Sequence, residues 1–177
     1  MTVLRTARLE LRPAGLTDLP SLLPHWNQPL VNRFLFDDQE VTVELATTLL
    51  TDSDTDFARH GYGLWKAYLD GEFVGVCGLR LHESSRMEII YSLEPAHWGS
   101  GLATEAAVAV LDAGRRAGLK EILLEVDDGN VASHHVAERL GAVFEDAGDG
   151  LVRYVITADP SPQRRDHPPA APSPTLP

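Results

Sequence analysis

A short glycine-containing loop between a strand pattern and a helix pattern is the feature that most restricts the fold of this chain. The apolar run RMEIIYSL ends before Pro95. The loop Trp98-Gly99-Ser100-Gly101-Leu102-Ala103 then leads into a helix-forming stretch that ends at Gly118. Glycines leave backbone N–H groups accessible, and the helix start adds unpaired donors and the positive end of its dipole. The segment predicts either an anion site suited to a diphosphate or a tight turn that caps a helix.

The positions of the glycines separate two familiar phosphate-binding loops. A P-loop is excluded because no Gly-Lys-Ser/Thr sequence follows Gly101. A dinucleotide-binding turn is partly matched, since Gly99 and Gly101 precede a helix and Glu125 ends the next strand. Against that interpretation, Thr104 replaces the third glycine, and the glycines stand several residues past the strand end.

Strand and helix patterns alternate along the chain and predict an α/β fold. The strand patterns are RLELRP, YGLWKAYL, EFVGVCGLRL, RMEIIYSL, EILLEV, AVFED and LVRYVIT. Helix patterns begin after Thr17-Asp18, after Thr42, at about Leu102 and at about Ala132. Asp70-Gly71, between the second and third strands, predicts a type I′ hairpin. Because helices separate the later strands, we expect a mixed, partly parallel sheet flanked by helices.

The chain divides into one expected domain, residues 1–159, and a proline-rich tail, residues 160–177. Its 177 residues are enough to bury one hydrophobic core. The final segment, PSPQRRDHPPAAPSPTLP, carries seven of the twelve prolines and almost no bulky apolar residue. Such a segment cannot bury enough surface to offset the entropy of ordering it, so we expect a flexible tail.

The charge of the chain limits its partners. With 26 acidic and 15 basic residues, the net charge is −11 and the isoelectric point is near 4.9. Such a surface repels phosphate backbones, so nucleic acid is not an expected partner. No apolar run approaches the length of a membrane span and the N-terminus has no signal-peptide core, so we expect a cytoplasmic protein without a membrane partner. The single cysteine, Cys77, excludes an intramolecular disulfide, and the sequence allows a monomer or a homodimer.

A second polar motif follows the strand EILLEV. Asn130 and Ser133 lie where this strand gives way to a helix, and ligands of open α/β sheets bind at the carboxyl ends of strands. The simpler interpretation is that Asn130 or Ser133 caps the helix.

Taken together, YSLEPAHWGSGLATEAA and NVASHHVAERLGA resemble the GCN5-related N-acetyltransferase (GNAT) superfamily. They are most similar to its branch of ribosomal-protein-alanine N-acetyltransferases, as is the opening TARLELRPAGLTDLPSLL. The resemblance covers residues 4–157 and implies the acyl-CoA N-acyltransferase fold, in which the sheet is splayed.

The loop carries the most specific part of this resemblance. It matches the family motif Gln/Arg-x-x-Gly-x-Gly/Ala, with Trp98 in the first position, Gly101 in the fourth and Ala103 in the sixth. Two departures are visible. Ser100 replaces a common lysine, which removes one charge from the pyrophosphate site, and Ala142 stands where the family usually has an aromatic residue.

The resemblance implies acetyl-CoA as co-substrate. The backbone amides of Trp98, Gly99, Ser100, Gly101, Leu102 and Ala103 would hold the pyrophosphate. The backbone of Tyr91, Ser92 and Leu93 would pair with the pantetheine as if it were an added strand, which requires a gap between this strand and EILLEV. Asn130 would contact the pantetheine arm across that gap.

The resemblance also implies direct transfer of the acetyl group to a primary amine in a ternary complex. The acceptor would be a protein N-terminal α-amine or a small-molecule amine. Many family members place a tyrosine on the last helix to assist the departing thiolate, but Ala137 occupies that position. Ser133 lies one turn earlier on the same face and is the candidate donor. The alternative is a catalytically degenerate acyl-CoA-binding sensor or partner protein.

For the general base, the strand RMEIIYSL offers Glu88. Strand alternation places Glu88, Ile90 and Ser92 on one face and the other side chains opposite. A carboxylate among apolar neighbours is suited to accept a proton from the attacking amine. A solvated glutamate paired with Arg86 or Arg80 is an equal alternative.

Other side chains are weaker candidates. His134 and Glu138 lie one helical turn apart, but no third ligand is in register, so a surface pair is favoured and no metal is expected. His82 or His97 could act as a base or contact the substrate. Three aromatic residues could line an acceptor pocket or simply fill the core, namely Trp26, Phe34 and Phe36.

Overall fold

Residues 2–157 are described by the computed structural model, so the predicted tail at residues 160–177 lies outside the described residues. The strands are β1 (Leu4–Arg5), β2 (Leu9–Pro13), β3 (Leu64–Leu69), β4 (Glu72–Leu81), β5 (Met87–Leu93), β6 (Glu121–Asp127), β7 (Val143–Gly148) and β8 (Leu151–Thr157). The helices are α1 (Leu19–Trp26), α2 (Pro29–Leu35), α3 (Val43–His60), α4 (Leu102–Arg116) and α5 (Val131–Arg139). Within residues 2–157, no helix combines the length and apolarity needed to cross a bilayer.

Two local predictions in the first half of the chain are confirmed. Thr42 begins α3, and its side-chain oxygen accepts a hydrogen bond from the Leu45 N–H at 3.2 Å, as an N-cap does. In the hairpin between β3 and β4, Asp70 has a φ of +50° and Gly71 a φ of +85°. Both values lie in the left-handed region that a type I′ turn requires.

The N-terminal helical region differs from its prediction. Asp18 precedes α1, but its carboxylate accepts from the Gly15 N–H at 3.0 Å and pairs with Lys66 at 2.5 Å. Part of the reason is that Pro20, in the first turn of α1, has no N–H to give to a cap. A separate helix, α2, was not predicted; it starts at Pro29, because proline is tolerated at a first helical position.

The eight strands form one sheet in the order β1-β2-β3-β4-β5-β6-β8-β7. Strand β5 pairs antiparallel with β4 from Leu81–Met87 to Gly75–Leu93. On its other side β5 runs parallel to β6, and in the described part of the chain the two pair only at Glu88–Leu123. Beyond Glu88 the strands separate. The mixed, partly parallel and splayed sheet is therefore confirmed.

Alternate side chains of β5 belong to two separate cores. Ile89 and Leu93 are buried in the core that α4 covers, whereas Ile90 is buried in the core that α1 and α3 cover. Glu88 and Ser92 share the strand face of Ile90 and are also buried. The sheet thus separates α1, α2 and α3 from α4 and α5, and the predicted alternation along this strand is confirmed.

Strands β4 and β5 approach each other unusually closely at Gly75. Its φ is +148°, and a Cβ added there would lie 2.1 Å from the carbonyl oxygen of Ser92. No side chain fits at that distance, so glycine is required beside Ser92.

Candidate active site

A cleft of about 380 Å³ opens where β5 and β6 separate. The walls include the end of β5, the glycine-containing loop, the starts of α4 and α5, and α2. The predicted site residues that line it are Glu88, Tyr91, Ser92, Leu93, Trp98, Gly99, Gly101, Leu102, Ala103, Asn130 and Ser133. Ser100 is the exception among the predicted site residues, and it lies in the same loop.

The glycine-containing loop is fastened to the end of β5. The Trp98 indole N–H donates to the Leu93 carbonyl oxygen at 2.8 Å, and the Ser100 hydroxyl donates to the His97 carbonyl at 2.5 Å. Gly101 has a φ of +79° and directly precedes α4. This geometry puts the unpaired N–H groups and the positive dipole end of α4 at the wall of the cleft.

A cation from the N-terminus reaches this loop. Arg8 donates from Nη1 to the Ser100 carbonyl oxygen at 2.9 Å and from Nε to Glu105 at 2.7 Å. Local sequence patterns did not indicate Arg8, because it lies 92 positions from Ser100 along the chain. It brings a guanidinium, which is paired with the Glu105 carboxylate, to the backbone of the loop at Ser100.

Glu105, in the first turn of α4, ties the N-terminal segment to that helix. Its carboxylate accepts hydrogen bonds from the Thr6 hydroxyl at 2.5 Å and from the Arg8 backbone N–H at 2.8 Å. Burial alone would raise the pKa of Glu105, but the bonds from Thr6 and Arg8 outweigh it and lower that pKa. A carboxylate in the first turn of a helix is also favoured by the helix dipole, so Glu105 stabilises the start of α4 and holds the N-terminal segment against it.

The cap of α5 is Asn130. Its side-chain oxygen accepts a hydrogen bond from the Ser133 backbone N–H at 3.1 Å. Of the two capping residues that the sequence allowed, Asn130 takes that role and Ser133 lies in the first helical turn. The capping bond uses the oxygen of the Asn130 amide, while its NH₂ group is a further donor at the cleft wall.

Two hydroxyl groups in the wall are buried without a hydrogen-bond partner of normal geometry among the described residues. They belong to Tyr91 on β5 and Thr104 in α4. Burial raises the pKa of Tyr91 to about 12, while the neighbouring Ser133 hydroxyl lowers it by a smaller amount. The phenol is therefore protonated at neutral pH and lies close to Ser133. Orphaned buried hydroxyls are costly, and a polar ligand in the cleft would relieve that cost.

Glu88 lies at the point where the sheet divides. Its side chain is only 5% exposed, and Oε2 accepts from the Arg80 Nε at 2.9 Å. The alternative prediction for this residue was a solvated glutamate paired with an arginine. The pairing with Arg80 is present, but the Glu88 carboxylate is buried. Arg86 instead bonds Glu121 and Glu145.

The same region gathers a second carboxylate and a histidine. Ligand atoms of His82, Glu88 and Glu125 lie within 4.8 Å of one another. Each carboxylate already has a guanidinium partner, Arg80 for Glu88 and Arg153, at 2.8 Å, for Glu125. These arginines supply the positive charge that a metal ion would bring, so the cluster is better described as an ion-pair network.

His134, considered in the sequence as a metal ligand with Glu138, has other partners. Nδ1 lies 2.8 Å from the Tyr154 hydroxyl, and Nε2 lies 3.2 Å from the Asp128 carbonyl oxygen. With both ring nitrogens engaged, this histidine serves to hold α5 against the turn that precedes it and against β8.

A hydrogen-bonded chain behind β5 was not found from the sequence. His25, on α1, places Nε2 2.8 Å from the Ser92 hydroxyl and Nδ1 2.6 Å from a carboxylate oxygen of Glu94. The other oxygen of Glu94 accepts from the Gln28 amide at 3.0 Å. Ser92 lines the cleft, whereas His25 is only 3% exposed. No sequence pattern links residues 67 positions apart, so this arrangement is visible only in the fold.

The aromatic residues considered for an acceptor pocket are divided by the fold. Phe34, on α2, lines the cleft together with Asp37. Trp26 is buried in the core, and Phe36 packs edge-on against it with ring centroids 6.1 Å apart. One of the three predicted aromatic residues is thus in the cleft wall, and His97 is there as well.

Known proteins that are similar to this chain include one from Bacillus subtilis and two with solved structures. The YkkB protein of Bacillus subtilis is 42% identical over 90 residues, which are 46% of this chain and 51% of that protein. The chain therefore spans about half the length of this relative. The acetyltransferase from Agrobacterium tumefaciens is similar in structure, with a TM-score of 0.74 at 26% sequence identity. The match covers 88% of this chain and 94% of that protein. RimL, a ribosomal L7/L12 alpha-N-protein acetyltransferase solved in complex with coenzyme A, shares the fold with a TM-score of 0.72 at 20% identity, covering 89% of this chain and all of its own.

The family is shown by a broader match. The sequence profile of the acetyltransferase (GNAT) domain matches residues 8–143, which run from β2 to the start of β7. That span includes the divided sheet, the glycine-containing loop and the cap of α5 that form the cleft. The resemblance noted in the sequence is confirmed, and the chain belongs to the GNAT family of acetyltransferases.

Proposed function

We propose that this protein is an N-acetyltransferase that moves the acetyl group of acetyl-CoA to a primary amine by direct attack in a ternary complex. The observation that carries the proposal is the gap between β5 and β6 with the glycine-containing loop at its mouth. Acetyl-CoA has a long pantetheine arm that ends in a diphosphate. The arm needs a free strand edge and the diphosphate needs an anion site beyond that edge, and β5 followed by the loop supplies both.

Acetyl-CoA would bind along β5. The amides of residues 98–103 and the dipole of α4 would hold the diphosphate, with Arg8 adding positive charge. Tyr91 and Ser92 would offer backbone groups to the pantetheine, while the carbonyl of Leu93 is already bonded to Trp98. The NH₂ group of Asn130 and the buried hydroxyl of Thr104 are further polar groups in the wall.

The leaving thiolate would receive a hydrogen bond or a proton from Ser133. This serine is not the helix cap, and it lies beside the protonated Tyr91 phenol. The single hydrogen of the Tyr91 hydroxyl would be donated to the Ser133 oxygen, which strengthens Ser133 as a donor while charge develops on sulfur. The backbone near Tyr91 to Leu93 is our proposal for the donor to the oxyanion.

Glu88 stays the sequence-based prediction for the general base. The residue lines the cleft, but its carboxylate is buried against Arg80. Taking up a proton would weaken this ion pair, and that cost favours another proton acceptor near the strand.

The acceptor would enter from the side of α2, where Phe34 and Asp37 line the cleft. The net charge of −11 favours the approach of a cationic amine. A protein N-terminal α-amine is one class, in keeping with the RimL activity named above, and a small-molecule amine such as a polyamine is the other.

A combined binding and turnover experiment tests this function. Thermal unfolding with and without acetyl-CoA measures binding. Release of free thiol is then measured with a panel of peptides that begin with Ser or Ala, spermidine, kanamycin and free amino acids. We expect stabilisation by acetyl-CoA and thiol release with at least one amine. Stabilisation without turnover on any amine would favour an acyl-CoA-binding sensor, which Ala137 in place of the helix tyrosine makes the natural alternative. No stabilisation would contradict both.

A further inference from the structure

We propose that Ser92, His25 and Glu94 form a relay that receives the proton of the attacking amine, with Ser92 as the catalytic hydroxyl and the other two acting through it. The inference rests on the proposed function of the cleft. It gives the proton a destination other than Glu88, whose carboxylate is bonded to Arg80.

The bonding pattern fixes the direction of the chain. A carboxylate can only accept, so at 2.6 Å from Glu94 the Nδ1 of His25 carries a hydrogen. In the neutral ring, Nε2 is then the acceptor, and at 2.8 Å it accepts from the Ser92 hydroxyl. This is the serine–histidine–carboxylate order in which a hydroxyl can give up its proton while taking another.

The surroundings of His25 keep the ring neutral and oriented. Its side chain is 1% exposed, and burial lowers the pKa of His25, while the bond to Glu94 opposes that shift. Phe73 of β4 packs edge-on against the ring with centroids 5.2 Å apart. Glu94 is the charged group that acts on His25, and Gln28 of the α1–α2 connection holds its second oxygen. A neutral imidazole with an available lone pair is the form that a base requires.

The position of Ser92 connects this chain to the reaction. Ser92 lies on β5, past the point where the sheet divides, and lines the cleft. His25 and Glu94 lie on the far side of the strand from α4, where α1 and α2 pack. The relay would therefore take a proton from the cleft to the other face of β5, where the Glu94 carboxylate, 28% exposed, would stabilise the imidazolium that forms.

In the proposed step one acetyl group is transferred and the attacking nitrogen loses one proton. The amine nitrogen forms a bond to the acetyl carbonyl carbon, and the C–S bond of the thioester breaks. The proton that the nitrogen loses passes to the Ser92 oxygen as the proton of that hydroxyl passes to Nε2 of His25. The resulting imidazolium is stabilised by Glu94. The thiolate takes the proton of the Ser133 hydroxyl, and Ser133 regains a proton from solvent. Release of one proton from Nε2 of His25 to solvent restores the starting state, so no net proton is gained or lost.

A purely structural role is the competing explanation, and the chain contains a matched example of one. Ser53 is 3% exposed; its hydroxyl donates to the Ala14 carbonyl oxygen at 3.0 Å and accepts from the Leu64 N–H at 2.9 Å. It holds α3 to the sheet and does not line the cleft. Ser53→Ala therefore measures what the loss of a buried serine does without the relay.

The test compares Ser92→Ala, His25→Gln and the double variant with Ser53→Ala. Turnover is measured with acetyl-CoA and the amine of the panel above that the wild type acetylates fastest, per folded molecule, and acetyl-CoA affinity is measured separately. We expect each relay variant to lower kcat by about 100-fold, with acetyl-CoA affinity unchanged. The double variant should lose no more than the single variants, because residues that act as a unit are not additive. Ser53→Ala should keep its turnover.

The dependence of rate on pH adds a readout that a structural role would not move. In the wild type, the slope of log kcat/KM against pH should be about one where only the amine is protonated. It should steepen to about two at pH values below the pKa of His25. In His25→Gln the slope should stay near one.

Several results would overturn the relay while leaving the proposed transfer intact. They are near-normal turnover in Ser92→Ala or His25→Gln, losses that add in the double variant, or a steepening that survives in His25→Gln. If the wild type binds acetyl-CoA but acetylates no amine, the proposed transfer fails and the relay fails with it.

Discussion

The side-chain oxygen of Asn130 accepts a hydrogen bond from the backbone N–H of Ser133 at 3.1 Å, so the first turn of α5 is capped by a residue other than the proposed thiolate partner. The two roles that the sequence could not separate belong to different side chains. They can therefore be removed one at a time.

Ser133→Ala should lower kcat by roughly 10- to 1000-fold with little change in acetyl-CoA affinity, because the bond to sulfur strengthens only as charge develops. Asn130→Ala should instead cost about 1 kcal/mol of unfolding free energy through the lost cap. Urea unfolding and single-turnover kinetics on both variants check this. A Ser133→Ala enzyme that is less stable yet fully active would assign Ser133 to the scaffold.

Gly101→Val should abolish acetyl-CoA binding. The φ of +79° makes any side chain strained by about 1–2 kcal/mol, and the added group would obstruct the loop amides. Gly61→Val is the matched control, since Gly61 has a φ of +81°, open space around it and no part in the cleft. Isothermal titration should find binding in the control and none in Gly101→Val; equal affinities would make the loop a structural turn.

Glu88→Gln tests whether the general base is Glu88, as predicted from the sequence, or the relay that begins at Ser92. If the relay receives the proton, this variant keeps the steepening of the kcat/KM profile from a slope of about one to about two, and it loses about 1–3 kcal/mol of stability because Arg80 loses its charged partner. Loss of the steepening, with the slope of about one that the amine sets left in place, would return the general base to Glu88. A pH–rate profile and a denaturant titration on the same preparation give both answers.

Gly75→Ala should destabilise the protein by about 3 kcal/mol or more, because the new Cβ would collide with the Ser92 carbonyl oxygen and force β4 and β5 apart. Gly148→Ala serves as the control, as nothing lies within 4 Å of a Cβ added there. The midpoints of urea unfolding should differ accordingly. Equal midpoints would mean that the strands can separate at little cost.

Stability should fall in mild acid because of His25. Burial lowers the pKa of this ring, and the bond to Glu94 only partly opposes the shift, so the unfolded chain binds more protons than the folded one below about pH 6.5. The stabilisation is present above that pH and is lost as the pH falls through the folded-state pKa. Unfolding free energies at several pH values between 5 and 8 should decline less steeply in His25→Gln than in the wild type; parallel curves would contradict this.

Local physics made much of this fold predictable. The strand alternation of β5, the turn at Asp70-Gly71 and the cap at Thr42 all depend on neighbours within a few residues, and each agrees with its prediction. The loop was predictable for the same reason, since glycines and a helix start have a fixed order in the chain.

The remaining parts of the site depend on contacts between distant segments. Arg8 meets Ser100 across 92 positions, and His25 meets Ser92 across 67. A single sequence carries no signal for such pairs, because each residue alone has an ordinary surface or core explanation. The pairing of Glu88 was also undetermined, because both Arg80 and Arg86 lie near it in the sequence. Strand register decided for Arg80, although it is the more distant of the two along the chain.

Among residues 2–157, β5 and β6 pair only at Glu88–Leu123, and this has a mechanical consequence. Backbone pairing across the sheet is reduced to this one residue pair. Residues 121–157 are therefore joined to the other described residues mainly by side-chain packing. An acetyl-CoA molecule bound in the gap, as we propose, would stabilise the folded state as well as take part in the reaction. Its binding free energy would add to the cohesion of the two parts by mass action. Resistance of this segment to local opening should therefore rise and fall with the concentration of the thioester.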